Sequence, residues 1–167
     1  MKLLRYGERG AEKPGLLDTD GTLRDLSGEV ADIDGAMLGA DSLALLRALD
    51  PASLPAVTGT PRIGACVGRV GKLIGIGLNY SDHAAETGMA IPSEPITFLK
   101  ATSAISGPYD PVLRPDHAEK LDWEVELGFV IGTRARRVSE ADALSHVAGY
   151  TIVNDVSERC WQAERQG

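Results

Sequence analysis

The chain has 167 residues, 43% of them hydrophobic, and a formal net charge of −7 at pH 7. This acidic balance argues against nucleic acid as a partner, because no cluster of Lys and Arg could neutralise phosphates. The sequence predicts neither a signal peptide nor an apolar stretch long enough to cross a membrane. Cys66 and Cys160 are isolated thiols without metal-ligand spacing, which favours the reducing cytoplasm as the compartment.

The first 60 residues are predicted to form a small β-rich domain with one helix. Short apolar segments alternate there with Gly, Pro and Asp turns, a pattern typical of short strands. One later segment has the apolar spacing of a helix, and three prolines after it indicate a linker. The predicted elements are strands at 2–6, 15–17 and 22–26, a helix at 41–49, and the linker at 51–61.

Residues 70–167 are predicted to belong to a second domain that mixes strands and helices, so the fold class is α+β and rich in β structure. Apolar residues occur at both odd and even positions of 127–132, which indicates a strand end that is buried on both faces. Ser139 is expected to cap the last helix, with Asp142 placed to interact with it. The predicted elements are strands at about 73–77, 96–100, 123–132 and 148–154, and helices at 81–87 and 139–146.

Three carboxylates form the most distinctive pattern of this second domain. Glu124 and Glu126 lie within the segment 122–127, and Asp155 follows within the segment 154–159. Alternate side chains of a strand point to one face, so Glu124 and Glu126 are expected on the same side, about 7 Å apart. With Asp155 they could supply the oxygen ligands that Mg²⁺ or Mn²⁺ prefers, and Ca²⁺ would also fit. A solvated face of a half-buried sheet would give the same pattern.

A possible catalytic pair lies between the apolar strand at 73–76 and Gly88. The spacing predicts a short helix that carries His83 and Glu86 three residues apart on one face. A carboxylate beside an imidazole holds its tautomer and stabilises its charged form, so the pair could activate a water molecule. An ordinary exposed pair on a helix would look the same in the sequence.

Three polar motifs follow one another along the second domain. They are Gly77-Leu78-Asn79-Tyr80 with His83 and Glu86, Asp122-Trp123-Glu124-Val125-Glu126-Leu127, and Asn154-Asp155-Val156-Ser157-Glu158-Arg159 with Gln162. Taken together, these motifs resemble the fumarylacetoacetate hydrolase family from about residue 70 to the C-terminus. The first 60 residues resemble, with weaker motifs, the small N-terminal domain of its bacterial branch that acts on 2,4-diketo-3-deoxy sugar acids.

The resemblance implies a fold, a reaction and a role for each polar residue. The fold would be a small N-terminal β domain followed by a mixed β-sandwich or roll. For Lys100, an ordinary surface position on a strand is as compatible with the sequence as a role at the site. The implied roles are metal binding for Glu124, Glu126 and Asp155, water activation for His83 with Glu86, and substrate contact for Arg159, Gln162 and Lys100.

The implied reaction is hydrolysis of a carbon–carbon bond in a β-diketo acid, either an acylpyruvate or a 2,4-diketo-3-deoxy sugar acid. Mg²⁺ or Mn²⁺ would act as Lewis acid and template. Water activated at His83 would attack the distal carbonyl, and cleavage would give a carboxylic acid and pyruvate. Arg159 would stabilise the negative charge that develops.

The resemblance also implies a larger catalytic domain, which would continue for about another hundred residues. A lysine expected shortly after Gln162 does not occur before Gly167. We therefore expect this stretch alone to be incomplete as a catalyst. A homodimer is expected from the family, and exposed apolar sheet edges would favour aggregation.

Other functions remain open from the sequence. Decarboxylation of oxaloacetate-like acids, keto-enol isomerisation and ureidoglycolate cleavage are compatible with the same cation. A metal-binding fragment without catalysis is a further alternative. The segment Asp18-Thr19-Asp20-Gly21-Thr22 also matches the nucleophile loop of haloacid-dehalogenase-type phosphatases, with Asp18 as nucleophile and Asp20 as acid/base. The strand before it is short and Asp-Gly is a common hairpin turn, so a tight turn is favoured there.

Overall fold

The first three strands form one antiparallel sheet in the computed structural model, which describes residues 1–165. Strands β1 (Lys2–Tyr6), β2 (Lys13–Leu17) and β3 (Leu23–Asp25) lie side by side in chain order. The predicted positions of all three strands are confirmed, although β2 begins two residues earlier than expected.

The hairpin turn between β2 and β3 excludes the phosphatase interpretation. The Asp18 N–H donates to the Thr22 carbonyl over 2.9 Å, and Gly21 adopts a φ of +87°, which suits a residue without a Cβ. The Asp18 carboxylate is ion-paired with Arg24 at 3.2 Å. Because β2 and β3 are antiparallel, Asp18 does not end a central parallel strand as a phosphatase nucleophile does. The predicted tight turn is confirmed.

The core of the N-terminal part lies between this sheet and helix α1 (Ala40–Ala48). Leu26 and Ile33 are the largest side chains that are fully buried within the described residues, at 0% and 1% exposure. The stretch 51–61, predicted as a linker, packs instead along this part: Leu54 is buried, and the Val57 N–H donates to the Leu23 carbonyl. The core consists of Leu16, Leu26, Ile33, Met37, Leu38, Leu43, Leu46 and Leu54.

The rest of the chain is built from paired strands and short helices. The elements are β4 (Leu73–Gly77), α2 (Ser81–Glu86), β5 (Ile96–Lys100), β6 (Leu121–Asp122), β7 (Val125–Ile131), α3 (Glu140–Ala143), β8 (Val147–Asn154) and β9 (Ser157–Glu158), followed by a π-helical segment at Cys160–Glu164. Three antiparallel pairs are formed, β4 with β5, β6 with β9, and β7 with β8. The long helix predicted at 139–146 is instead the short helix α3 followed by a 3-10 turn at 144–146.

Strand β7 has two different faces. Val130 packs against the N-terminal core, together with Ala148 of β8. On the other face, Leu127 and Phe129 are 54% and 57% exposed. The prediction of a strand end buried on both faces is therefore wrong for the described residues, because among them only the face of Val130 packs against the N-terminal core, while Phe129, which contacts its neighbour Tyr150 across the strand pair, stays exposed.

The end of β7 lies close against the N-terminal part. A Cβ on Gly132 would lie 2.1 Å from the Leu38 carbonyl oxygen, so only glycine allows this approach.

The observed α+β class, rich in strands, agrees with the prediction. Within residues 1–165, no helix has the length and apolar character needed to traverse a lipid bilayer.

Candidate metal and catalytic site

The three carboxylates proposed as metal ligands lie near the start of β7 and the end of β8, which are paired with each other. Val125 pairs with Asn154 across the two strands, which places Glu124 and Asp155 next to each other just beyond the pair. The Asp155 N–H donates to the Glu124 carbonyl over 2.9 Å. Glu126 lies one residue inside β7, on the half-buried face. A local strand pairing thus joins residues that are about thirty positions apart in the sequence.

Arg159 lies against two of the acidic residues at this site. Its Nε donates to Asp122 over 2.9 Å, and a second nitrogen contacts the Glu124 carboxylate. Its Nη1 donates to the Gln162 side chain over 2.9 Å. Burial opposes the charged form, but the hydrogen bonds with Asp122 and Glu124 outweigh it and raise the pKa of Arg159. Two of the three predicted substrate residues, Arg159 and Gln162, are therefore brought together.

Lys100, at the end of β5, is the second cation of the site. Its Nζ lies 2.5 Å from the Asp155 carboxylate and donates to the Val156 carbonyl over 3.0 Å. The side chain of Lys100 is 28% exposed and that of Asp155 is 16% exposed. Lys100 is thus a member of the carboxylate cluster rather than an isolated surface lysine.

Four groups of the site lie close enough to Glu126 to influence its pKa: Tyr80, Glu124, Asp155 and His83. Burial is the largest cause that raises the pKa of Glu126, and the charges of Glu124 and Asp155 raise it further. A hydrogen bond from Tyr80 and the charge of His83 act in the opposite direction. Mutual repulsion between neighbouring carboxylates is relieved when a cation binds them.

The donor set fits a divalent cation by its chemistry, because three carboxylates are the oxygen ligands preferred by Mg²⁺ and Mn²⁺. Within residues 1–165, however, no three His, Cys, Asp or Glu side chains have the mutual separations of a preformed metal site. The two observations are compatible, since Glu124 and Asp155 are turned towards Arg159 and Lys100. Rotation of these side chains would be needed before they could share an ion.

Helix α2 carries the predicted catalytic pair. It begins at Ser81, and after its end Gly88 adopts a φ of +67°, a left-handed conformation that commonly terminates a helix. His83 and Glu86 are both exposed, three positions apart on this short helix. Among the contacts of the described residues there is no hydrogen bond or ion pair between their side chains. The helix therefore places the two residues near each other without joining them.

Tyr80 is the residue of this site to which the sequence assigned no role. It precedes α2, and its hydroxyl accepts a hydrogen bond from the Leu127 N–H over 3.1 Å. The residue occurs in the motif Gly77-Leu78-Asn79-Tyr80, but nothing in the sequence indicates a partner 47 positions away.

Comparison with known proteins identifies the family of this chain. Residues 72–167 match the family described as fumarylacetoacetate (FAA) hydrolase, C-terminal. A protein of Burkholderia ambifaria (strain MC40-6), provisionally named a hydrolase, is 64% identical over all 167 residues. The chain spans 59% of the length of that relative.

Solved structures with related sequences have the same fold. A fumarylacetoacetate hydrolase from Exiguobacterium antarcticum is 33% identical, with a TM-score of 0.75, and the match covers 99% of this chain and 59% of that one. A 5-carboxymethyl-2-hydroxymuconate delta-isomerase from Mycobacterium smegmatis is 28% identical, with a TM-score of 0.67, over 100% of this chain and 59% of that one. Enzymes named as hydrolases and as isomerases therefore share this architecture.

Proposed function

Because this chain belongs to the fumarylacetoacetate hydrolase family, we propose that it forms part of a divalent-metal-dependent hydrolase that cleaves a carbon–carbon bond in a β-diketo acid. The substrate would be an acylpyruvate or a 2,4-diketo-3-deoxy sugar acid. The observation that carries this proposal is the pairing of β7 with β8, which brings Asp155 next to Glu124, two residues before Glu126.

Glu124, Glu126 and Asp155 would hold the cation, Mg²⁺ or Mn²⁺, and the family is generally dependent on a divalent metal. When bound, the cation would supply Lewis-acid polarisation of the 2-oxo acid end. Asp155 and Glu124 would have to leave Lys100 and Arg159, with which they are now paired. The two released cationic side chains would then be available to the carboxylate of the substrate.

The chemistry of the chain's own residues follows from the position of α2. His83 would accept a proton from water, with Glu86 stabilising the imidazolium. The resulting hydroxide would add to the distal carbonyl carbon. The bond between that carbon and the methylene carbon would then break, leaving a carboxylic acid and the enolate of pyruvate, which takes up a proton. Arg159 would stabilise the negative charge during this step.

An isomerase is the second candidate, because a structural relative carries that name. The His83–Glu86 pair favours hydrolysis, since isomerisation moves a proton within the substrate and consumes no water. The products distinguish the two reactions: hydrolysis of an acylpyruvate gives equal amounts of pyruvate and a second carboxylic acid, whereas isomerisation preserves the mass of the substrate.

The test is to incubate the protein with Mn²⁺ and an acylpyruvate and to quantify pyruvate. His83→Ala should reduce its formation by about a hundredfold or more, the range of general base catalysis, while Mn²⁺ affinity stays the same. His117→Ala, at an exposed position outside the site, is the matched control. Undiminished pyruvate formation by His83→Ala would contradict the assigned base, and a product of unchanged mass would favour the isomerase.

A further inference from the structure

Tyr80 connects two parts of the site that the sequence keeps apart. It is the residue immediately before α2, so it is three positions from His83. Its hydroxyl oxygen accepts the backbone N–H of Leu127, the residue that follows Glu126 in β7. One end of the helix with the catalytic pair is therefore fixed to the strand with a metal-binding carboxylate.

The same hydroxyl is also placed to act on Glu126 itself. A tyrosine hydroxyl has one hydrogen to donate in addition to its accepting lone pairs. Because its oxygen receives the Leu127 N–H, that hydrogen is available to a neighbouring acceptor, and Glu126 is the residue that precedes Leu127 in β7. Among the contacts of residues 1–165, Glu126 is ion-paired with neither Arg159 nor Lys100, the cations that hold Glu124 and Asp155.

We propose that Tyr80 is a positioning residue that couples cation binding at Glu126 to the placement of helix α2. The inference rests on the proposed function, because it assumes that Glu126 is a metal ligand. A ligand carboxylate held by a hydrogen bond loses less freedom when it binds a cation, and such partners outside the ligand set contribute strongly to metal affinity. Coupling is reciprocal, so a cation that fixes Glu126 and the backbone beside it at Leu127 also fixes Tyr80 and, through it, the start of α2.

The coupling explains how a short helix can hold a catalytic pair in place. Helix α2 has six residues, and within it only Ala84 is buried. Packing alone would leave such a helix free to open locally, because a segment with few buried contacts has low local stability. The hydroxyl of Tyr80 adds an attachment at the N-terminal end, next to His83.

The experiment compares the wild-type chain with Tyr80→Phe, which removes only the hydroxyl. Tyr109→Phe is the matched control, because Tyr109 is 86% exposed and lies outside the site. Mn²⁺ affinity is measured by calorimetric titration, and amide hydrogen exchange is followed at residues 81–88 with and without Mn²⁺. The thermal unfolding midpoint of each protein shows whether the fold is kept.

We expect Tyr80→Phe to bind Mn²⁺ about tenfold more weakly than the wild type, at an unchanged unfolding midpoint. Mn²⁺ should slow exchange at residues 81–88 in the wild type and in Tyr109→Phe, and should have little effect on it in Tyr80→Phe. A purely structural role would change the midpoint and would leave the response to Mn²⁺ intact.

Equal Mn²⁺ affinities and equal protection of residues 81–88 in all three proteins would overturn this inference alone. Absence of Mn²⁺ binding by the folded wild type would overturn both the proposed metal site and the coupling. A lower midpoint of Tyr80→Phe with unchanged Mn²⁺ affinity would overturn the coupling and leave the metal site standing.

Discussion

The N-terminal part and the strand pair β7–β8 bury their apolar residues to very different degrees. In the first, Leu26 and Ile33 are 0% and 1% exposed, inside a cluster of eight buried side chains. In the second, Phe129 and Ile152 are 57% and 79% exposed, although their strands are well paired. One part is held together by a core, and the other by backbone hydrogen bonds and ion pairs.

The buried core and the proposed site thus lie in different parts of the described chain. The carboxylates and the residues of α2 lie in the part with few buried apolar contacts, where local opening is easiest. This part contacts the N-terminal core through Val130 and Ala148 and contains polar links such as that of Lys100 to Asp155. Substitutions in the two parts should therefore have clearly different consequences.

The largest expected effect is that of a cavity in the N-terminal core. Leu26→Ala should lower the free energy of unfolding by about 2–5 kcal/mol, because it removes a fully buried side chain and leaves a cavity. Leu127→Ala, at a leucine that is 54% exposed, is the control and should cost well under half as much. Urea denaturation measures both; equal costs would mean that the exposed face of β7 is covered in solution.

The junction between the two parts should be the next most sensitive point. Gly132→Ala places a Cβ 2.1 Å from the Leu38 carbonyl, and a backbone clash of this kind costs about 1–3 kcal/mol. Gly149→Ala is the matched control, because a Cβ there has nothing within 4 Å. Thermal unfolding should show a lower midpoint for the first variant only. A normal midpoint for Gly132→Ala would show that β7 does not dock on Leu38.

A pH-dependent loss of stability should follow from Tyr6 at the edge of the core. Burial, with a smaller contribution from the Asp25 carboxylate, raises the pKa of Tyr6 from 10.0 to about 12. The unfolded chain therefore ionises this tyrosine first. The stabilisation from Tyr6 is complete below pH 10 and is lost as the pH rises through 12.

Comparison of wild type with Tyr6→Phe isolates this contribution, because phenylalanine keeps the ring and cannot ionise. The difference in stability between the two proteins, measured by urea denaturation, should change in favour of Tyr6→Phe between pH 10 and pH 12. A difference that stays constant over this interval would contradict the raised pKa.

The smallest effect is expected for self-association through the exposed face of β7 and β8. Phe129 and Tyr150 pack edge to face on it with their ring centroids 5.4 Å apart, next to the exposed Ile152. Ile152→Thr keeps a β-branched strand residue and lowers the apolar area, so it should weaken association in sedimentation experiments without unfolding the chain. An unchanged association constant would place the contact elsewhere.

Several elements could be predicted from the sequence because their signals are local. The strands β1, β4 and β5 were predicted at the positions observed, since each is a short apolar run flanked by turn residues. Ser139 caps α3 as predicted, because its side chain accepts the Asp142 N–H over 3.2 Å. Local hydrogen-bonding preferences are sufficient for such assignments.

Contacts between distant residues could not be predicted in this way. Nothing in the sequence indicates that Arg159 contacts Glu124, that Lys100 reaches Asp155, or that Tyr80 meets Leu127. The burial of β7 was also predicted wrongly, because an apolar pattern reports what a strand can bury and not which partner is present. The assigned roles of the eight candidate residues remain predictions.

The most direct test of the account is a calorimetric titration of Mn²⁺ into the wild-type chain and into Glu124→Gln/Asp155→Asn. Asp41→Asn/Glu140→Gln changes the charge equally at exposed positions outside the site and serves as the control. The account predicts saturable binding by wild type and control that is lost in the site variant. Equal binding by all three proteins, or none by a folded wild type, would contradict the carboxylate metal site.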